Sequence, residues 1–231
     1  MSESSNWKVT TKRYVAFLDI LGFKDYVLRH SLGNVYSRLR TLNGFLPTDE
    51  EQDYETDIEK RIKFTIFSDS IFIFSKDDTF VNLRHFLSYV KRVMRMALRK
   101  EIPLKGAIAY GNIVVDDEQN LFCGQPIIDA YQLEEDLQYM GVVIHHTFEE
   151  EYDKLSDTQY IKISDWIKEV PTPFKYGKRA HYNLDYRIAG AKTYDFSKYI
   201  EYQRYYSSGD ARKYVDNTLD VLKTFENYTN D

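Results

Sequence analysis

The chain has 231 residues, enough for one large domain or for one domain with an appendage. Its single cysteine, Cys123, excludes an intramolecular disulfide and a zinc site built from several thiolates, and a small buried residue is expected there. The formal net charge of −5 argues against a dedicated nucleic-acid binder, whose surface is usually basic. Aromatic residues make up 16% of the chain, and ten of the 20 tyrosines follow residue 170.

The N-terminal sequence lacks the basic region, apolar core and cleavage site of a signal peptide. Apolar runs such as residues 14–18 are much shorter than the ~20 residues that span a bilayer. The sequence therefore predicts a cytoplasmic protein with no membrane partner and, from its charge, no nucleic-acid partner.

The predicted elements follow the order β-α-β-β-α-β through residue 110. Residues 14–21 form a short apolar run that is typical of a buried strand, and an amphipathic helix follows it. Two β-rich runs on either side of Ser68–Asp69 predict a hairpin. A helix over 83–98 and a strand over 104–111 complete the series. This order predicts a ferredoxin-like α+β fold, in which an antiparallel sheet carries two helices on one face.

The remainder of the chain predicts further elements and an appendage. Residues 112–117 predict a separate strand, 124–139 a helix and 141–146 another strand. The acidic stretch 49–59 predicts a solvated loop. After about residue 165 the sequence becomes irregular and aromatic-rich, and two amphipathic helices follow. We therefore predict one α+β domain, 13–165, and a helical, Tyr-rich appendage, 166–231.

The tyrosines of the appendage have a predicted role in packing. Tyr199, Tyr202 and Tyr206 lie near one face of the first C-terminal helix. Tyrosine is favoured where a surface is apolar but wet at one edge. We expect these side chains to pack the appendage onto the α+β domain or onto a partner chain.

Two aspartates point to the chemistry. Asp19 lies at the end of the first strand, and Asp69 lies at the tip of the predicted hairpin. In a ferredoxin-like sheet that strand lies beside the hairpin, so the two carboxylates can meet at one edge. They would repel unless cations bind between them, and oxygen ligands suit Mg²⁺ or Mn²⁺. The amides after Asp19 and the following helix offer an anion site, which Gly22 lets a phosphate approach. These are the parts of a two-metal phosphoryl-transfer site.

Four segments of the sequence resemble the class III nucleotidyl cyclases. FLDILGF at 17–23 and FSDS at 67–70 are similar to the two metal motifs of that family. KGAIAYGNIVV at 105–115 and GQPIIDAYQLEE at 124–135 are similar to the strand pair and the helix that follow. The sequences of these motifs are especially similar to those of the pyrimidine cyclases of bacterial Pycsar antiphage defence, which make cyclic UMP or cyclic CMP. The resemblance covers about residues 13–147 and implies that the α+β domain is catalytic.

The resemblance implies a role for each motif residue. Asp19 and Asp69 would bind two divalent cations, Mn²⁺ or Mg²⁺, together with the carbonyl oxygen of Ile20. The amides that would hold the triphosphate are those of Leu21, Gly22 and Phe23. The 3′-hydroxyl of a nucleoside triphosphate would then attack the α-phosphorus, and pyrophosphate would leave. The resemblance also implies a homodimer with composite active sites and a separate effector that the cyclic nucleotide activates.

Several positions depart from the family pattern. Ile128 and Gln132 stand where the family has an Asn that contacts the ribose and an Arg that stabilises the transition state. Thr65 replaces a base-reading Lys, and Leu121 replaces a second polar base-reading residue. The adenine-reading pair is therefore absent, which argues against ATP. UTP is slightly favoured over CTP as the substrate.

Because this Arg is missing, the residue that would supply a cation to the transition state is not identified by the resemblance. Phosphoryl transfer normally uses such a cation, and Lys105 is the first candidate. The alternative for Lys105 is an exposed lysine at the start of a strand. Ser70 either binds phosphate or closes the hairpin, and Thr65 either contacts the base or is a good strand former. The lesser cation candidates are Arg95, Arg99, Arg179 and Arg187. The alternative function is that of a nucleotide sensor, in which the α+β domain binds nucleotide but is catalytically silent.

Overall fold

The computed structural model describes residues 7–43, 61–187 and 196–227. The strands in these ranges are β1 (Thr10–Ile20), β2 (Ile62–Phe67), β3 (Ser70–Ser75), β4 (Leu104–Asp116), β5 (Leu121–Cys123), β6 (Val142–Ile144), β7 (Ile167–Phe174) and β8 (Gly177–Leu184). The helices are α1 (Phe23–Arg29), α2 (Leu32–Asn43), α3 (Phe80–Arg99), α4 (Gln125–Asp136), α5 (His146–Tyr152), α6 (Asp157–Tyr160), α7 (Phe196–Tyr206) and α8 (Gly209–Asn227). The predicted acidic loop, 49–59, lies outside the described residues.

The described strands form one eight-stranded sheet in the order β2-β3-β1-β4-β6-β8-β7, with β5 paired to β4. Its first four positions are antiparallel neighbours and have the predicted ferredoxin-like order. Strand β6 then joins β4 in parallel, because the chain crosses over through α4. The α+β prediction is confirmed, and so is the two-residue hairpin turn at Ser68–Asp69.

Helices cover both faces of the central strands. On β1, the ring of Tyr14 lies 6.0 Å from that of Phe86 in α3, whereas the ring of Phe17 lies 5.5 Å from that of Tyr131 in α4. Since successive strand residues alternate between faces, α3 and α4 lie on opposite sides of the sheet. The centre of β1 is consequently buried on both faces, as its continuous apolar run predicts.

Helix α3 matches the predicted helix closely. It begins at Phe80 because the hydroxyl of Thr79 accepts a hydrogen bond from the Asn82 amide and so caps the first turn. Its fully buried apolar residues recur at three- and four-residue spacing; they are Leu83, Phe86, Leu87, Val90, Val93, Met94, Ala97 and Leu98. This face packs on the sheet and forms much of the core.

Two sequence predictions about the strands are wrong. Residues 104–111 and 112–117 were expected to form separate strands, but β4 runs without interruption because it pairs with β1 along its length. The stretch expected to be irregular contains the hairpin β7–β8, which extends the sheet through the pair Val143↔Asn183. Pro171 and Pro173 argue against a strand in the sequence, but proline is tolerated there because β7 lies at the sheet edge.

The C-terminal region therefore begins with strands of the same sheet and ends with helices α7 and α8. Both helices are confirmed, and the division into domains 13–165 and 166–231 stays a prediction. Tyr202 and Tyr206 are 56% and 72% exposed, and their hydroxyl oxygens lie 3.2 Å apart. Contact with a partner chain stays the prediction for these two exposed side chains, whereas Tyr199 is partly buried against the core.

Two smaller observations complete the description. Cys123 is exposed on β5, which contradicts the expectation of a small buried residue. Among the described residues, no helix is both long enough and apolar enough to cross a membrane.

Candidate active site

Asp19 and Asp69 lie next to each other at one end of the sheet. Asp19 pairs with Ser70 across β1 and β3, and Ser70 directly follows Asp69. The amide of Ile20 donates a hydrogen bond to the carbonyl oxygen of Asp69 at 3.2 Å. The hairpin turn is tight because Ser68 adopts a left-handed conformation, with φ of 59°. The topology thus brings the two aspartates together as predicted, while their role as metal ligands stays a prediction.

The environment of Asp19 disfavours its ionised form. Burial, followed by the charge of Asp69, raises the pKa of Asp19 from its ordinary 3.8 to about 6, and Lys105 partly opposes this rise. A cation between the two carboxylates would remove the repulsion and favour ionisation. The donor set of carboxylate oxygens therefore fits a hard divalent cation such as Mg²⁺ or Mn²⁺.

The rest of such a cation's coordination shell would come from other groups. Within the ranges that the structure covers, no cluster of three or more His, Cys, Asp or Glu side chains could hold a metal. Mg²⁺ is commonly bound through one or two carboxylates, with waters and substrate phosphates as further ligands. The carbonyl oxygen of Ile20, which the resemblance implies as a ligand, adjoins Asp19 in the chain.

Three other predicted site residues share a face of the sheet with Asp19. Ser70 and Lys105 lie directly opposite Asp19 on the two neighbouring strands. Directly opposed residues point to the same face, which here is the face that α4 covers. Thr65 lies on this face in the next row, opposite Phe72. The sheet register thus places Ser70 and Lys105 beside Asp19, and Thr65 on the same face two strands away.

Lys105 is held by the end of α4. Its Nζ lies 2.8 Å from Oε1 of Glu134 and donates hydrogen bonds to the carbonyl oxygens of Glu134 at 2.9 Å and Leu137 at 3.4 Å. Lys105 is only 7% exposed, so the alternative of an exposed strand-start lysine is wrong. Its role as the transition-state cation stays a prediction, and contact with a phosphate requires Nζ to exchange one of these acceptors.

Glu134 is a site residue that the sequence analysis missed. Burial raises the pKa of Glu134 to about 7; Lys105 lowers it, and the charge of Asp19 raises it further. The signal was available in α4, where Ile127, Ala130 and Glu134 recur at i, i+3 and i+7 and so share one face. An acid on the inward face of a helix indicates a buried partner, which is Lys105.

The predicted phosphate-binding amides are only partly available. The Leu21 amide donates a hydrogen bond to the carbonyl oxygen of Pro103 at 3.0 Å, so the structure does not support Leu21 as a phosphate contact. Gly22, with φ of 73°, turns the chain into α1, a conformation that glycine adopts readily. Gly22 and Phe23 stay the predicted contacts to the triphosphate.

The positions that depart from the pattern of the resembling cyclases lie on the surface of this chain. Ile128 and Gln132 are one turn apart on the exposed side of α4, and Leu121 is exposed on β5. Of the lesser cation candidates, Arg187 forms an ion pair with Asp185 at 2.8 Å, and Arg95 donates to the carbonyl oxygen of Tyr186. These two arginines are thus engaged at the α3–β8 side of the molecule.

Comparison with known proteins identifies the fold. No protein-family model and no curated protein matches the chain. The catalytic core of a rhodopsin-guanylyl cyclase with converted specificity, in complex with ATPalphaS, aligns with a TM-score of 0.52 at 16% identity over 78% of this chain and 97% of that one. The adenylyl cyclase CyaB from P. aeruginosa aligns with a TM-score of 0.46 at 15% identity, over 79% and 97% of the two chains. A bacterial light-regulated adenylyl cyclase aligns with 0.48 at 8% identity, over 77% and 91%.

The first of these similarities shows that the chain has the fold of a nucleotidyl cyclase catalytic core. At this level of identity it concerns the fold alone, because one fold can carry several activities.

Proposed function

We propose that the protein is a nucleotidyl cyclase that converts UTP into 3′,5′-cyclic UMP and pyrophosphate. The observation that carries the proposal is the adjacency of Asp19 and Asp69, joined by the hydrogen bond from Ile20 to the Asp69 carbonyl oxygen at 3.2 Å. The raised pKa of Asp19 is the electrostatic consequence of this adjacency and of burial. Two carboxyl groups that disfavour each other's ionisation at the end of a buried strand are typical of a site that binds cations.

The chain's own residues would bind and orient the reactants. Asp19 and Asp69, with the carbonyl oxygen of Ile20, would hold two divalent cations, Mn²⁺ or Mg²⁺. Such ions, when bound, activate an attacking oxygen and neutralise the charge on a leaving group. The amides of Gly22 and Phe23 would orient the triphosphate, with Ser70 beside it. The 3′-hydroxyl attacks the α-phosphorus, its proton passes to solvent, and the bond to the bridging oxygen breaks as pyrophosphate leaves with the electron pair.

The proposed pyrimidine preference rests on the absence of the adenine-reading pair, whose positions Thr65 and Leu121 occupy. Thr65 lies on the face of Asp19, one row further along the sheet, where adenine-reading enzymes of the resembling family carry a Lys. A hydroxyl can donate or accept a hydrogen bond, so it suits uracil and cytosine alike. UTP is proposed as the substrate, with CTP and cyclic CMP as the alternative.

We also propose a homodimer with composite sites. Two large aromatic side chains in or beside the row of Asp19 are exposed: Phe67 by 79% and Tyr131 by 45%. Exposed apolar residues that cluster near a site are typical of an interaction surface. A second copy of the chain would cover them. The cyclic nucleotide would then activate a separate effector in antiphage defence.

A catalytically silent nucleotide sensor is the second candidate. It is favoured by the absence of the family's Arg at Gln132 and by the three acceptors that already hold the Nζ of Lys105. It is opposed by the presence of both metal-motif aspartates.

One experiment separates these functions. The purified protein is incubated with each nucleoside triphosphate and Mn²⁺ or Mg²⁺, and cyclic monophosphates are detected by mass spectrometry. We expect cyclic UMP, and a loss of about a hundredfold or more in Asp69→Asn, since bound metal supplies several kcal/mol of transition-state stabilisation. The matched control is Asp157→Asn, an exposed acid on α6, which should retain activity.

Each alternative has a distinct outcome. Nucleotide binding without product from any triphosphate would support the sensor, and product formation that survives Asp69→Asn unchanged would contradict the metal assignment. Sedimentation tests the dimer, because a monomer at micromolar concentration would contradict composite sites.

A further inference from the structure

Helix α8 contacts the connection between α4 and β6 through three polar side chains. The Tyr214 hydroxyl donates to the carbonyl oxygen of Leu137 at 3.3 Å, and Nδ2 of Asn217 donates to that of Gln138 at 2.8 Å. The hydroxyl of Thr218 accepts from the Met140 amide at 2.9 Å. The three side chains are spaced i, i+3 and i+4, so they share one face of the helix.

The same connection contacts the lysine beside Asp19. The carbonyl oxygen of Leu137 accepts hydrogen bonds from both Tyr214 and the Nζ of Lys105. Nε2 of Gln138 donates to the Tyr214 hydroxyl at 3.0 Å, and the Nζ of Lys105 lies 6.0 Å from the centre of the Tyr214 ring. Tyr214 is therefore the α8 side chain that reaches the acceptor that Lys105 uses and also approaches its ammonium group.

The helix that carries Tyr214 is firmly anchored. Four apolar side chains of the same helix are buried in the core, namely Val215, Leu219, Leu222 and Phe225. Asn217 and Thr218 satisfy the backbone of the connection, and they would keep it in place without Tyr214. Loss of the Tyr214 ring would therefore remove a direct contact of Lys105 while the connection stays in place.

We propose that Tyr214 is a positioning residue that holds Lys105 beside Asp19, so that the C-terminal helix is part of the active-site scaffold. The contact itself stands on the geometry alone, whereas its consequence for catalysis rests on the proposed cyclase function. It gives the Tyr-rich C-terminal region a role in the site in addition to packing.

The contact is tested by the reactivity of the lysine amines. Wild type, Tyr214→Phe and Tyr214→Leu are treated briefly with an acetylating reagent, and acetylation at each lysine is measured by peptide mapping. Loss of a cation–π contact to a buried ammonium group shifts a local opening equilibrium about fivefold. We expect Lys105 acetylation to rise by about that factor in Tyr214→Leu, which removes the ring, and to stay near the wild-type level in Tyr214→Phe, which keeps it.

Internal and matched controls separate this effect from general loosening. Lys91 on α3 is also 7% exposed and lies 5.0 Å from the ring of Trp166, so its acetylation should not change. Tyr110→Phe removes a hydroxyl that donates to Asp78 at 2.9 Å, far along β4 from Lys105, and should leave Lys105 protected. An unchanged Lys105 in Tyr214→Leu, or an equal rise at Lys91, would overturn the proposal.

Turnover adds the catalytic readout. If the wild type forms cyclic product, we expect Tyr214→Leu to lower kcat about fivefold while the KM for the triphosphate changes less than about twofold, since a displaced Lys105 alters the reacting geometry more than binding. A normal kcat together with raised acetylation would overturn the link to catalysis. If the wild type forms no product, the cyclase proposal fails, while the acetylation result still decides whether Tyr214 holds Lys105.

Discussion

Asp19→Asn should stabilise the metal-free protein at neutral pH, although it removes a predicted metal ligand. The folded-state pKa of Asp19 is raised from its ordinary 3.8 to about 6, first by burial and then by Asp69. As the pH rises from about 4 to 6, the unfolded chain loses this proton before the folded chain does. Ionisation of Asp19 therefore lowers the stability of the folded state across that window, and the loss persists at higher pH. Asparagine has no charge to desolvate and avoids the loss.

The size of the effect follows from the pKa. A rise from 3.8 to about 6 corresponds to ~3 kcal/mol at 1.36 kcal/mol per pH unit. Asp19 is partly exposed, and discounting for solvent screening leaves ~2 kcal/mol. For a chain of this size, 1 kcal/mol moves the Tm by ~2–4 °C. The expected gain for Asp19→Asn in chelating buffer at neutral pH is therefore ~4–8 °C.

Thermal unfolding measures this gain with and without metal. The Tm of the wild type and of Asp19→Asn is compared at pH 7.5 and pH 4 in chelating buffer, and then with Mn²⁺ at pH 7.5. We expect the difference to shrink at pH 4, and Mn²⁺ to raise the Tm of the wild type but not that of the variant. Asp153→Asn, an exposed acid, is the matched control and should change little. A lower Tm of Asp19→Asn at pH 7.5 without metal, or an equal response to Mn²⁺, would refute the reasoning.

Three further predictions address the scaffold around this carboxylate. Gly106→Ala places a Cβ 2.3 Å from Cδ2 of Leu18, so we expect a loss of more than ~3 kcal/mol in denaturant unfolding, whereas Gly33→Ala in α2 meets nothing closer than 3.8 Å and should be neutral or stabilising. Lys105→Met leaves Glu134 buried without its partner and should cost ~3–5 kcal/mol at pH 8, with a smaller loss at pH 5, where the acid is protonated. Glu134→Gln removes the acid instead, and its effect on kcat shows whether Lys105 acts on the substrate. A kcat that is retained or increased supports a catalytic lysine. A fall in kcat of about tenfold or more supports a lysine that only positions Asp19.

The sequence predicted the parts of the site that depend on local pattern. Two short-range signals were the apolar run that ends at Asp19 and the polar pair Ser68–Asp69 between two β-rich runs. The structure confirms the strand and the hairpin that they predict. Their meeting followed from the ferredoxin-like order of elements, which places β1 beside the hairpin. The type and order of the elements were thus enough to predict that the two aspartates lie close together.

The parts that the sequence did not predict depend on long-range contacts. The pair Lys105–Glu134 joins a strand to a helix 29 residues later, and nothing in either segment alone indicates which buried cation faces which buried acid. The hairpin β7–β8 pairs through Val143↔Asn183, 40 positions apart, and its prolines argue against a strand unless the edge position is known. Sequence periodicity reports which face is buried, but it does not report what covers that face.

The charges around Asp19 show why the Glu134 variant is informative. Lys105 and an ionised Glu134 form a neutral buried pair 2.8 Å apart, so the pair presents a dipole to Asp19 and not a net charge. A neutral pair would be a poor substitute for the Arg that the resembling cyclases carry at the position of Gln132, because charge that develops on a phosphate needs a net cation. Neutralising Glu134 leaves the full charge of Lys105 uncompensated, with the backbone carbonyl oxygens of position 134 and Leu137 as its remaining acceptors. If the chain catalyses phosphoryl transfer through Lys105, that variant has the stronger cation; if Lys105 acts only through Asp19, the lost ion pair loosens the lysine and the rate falls.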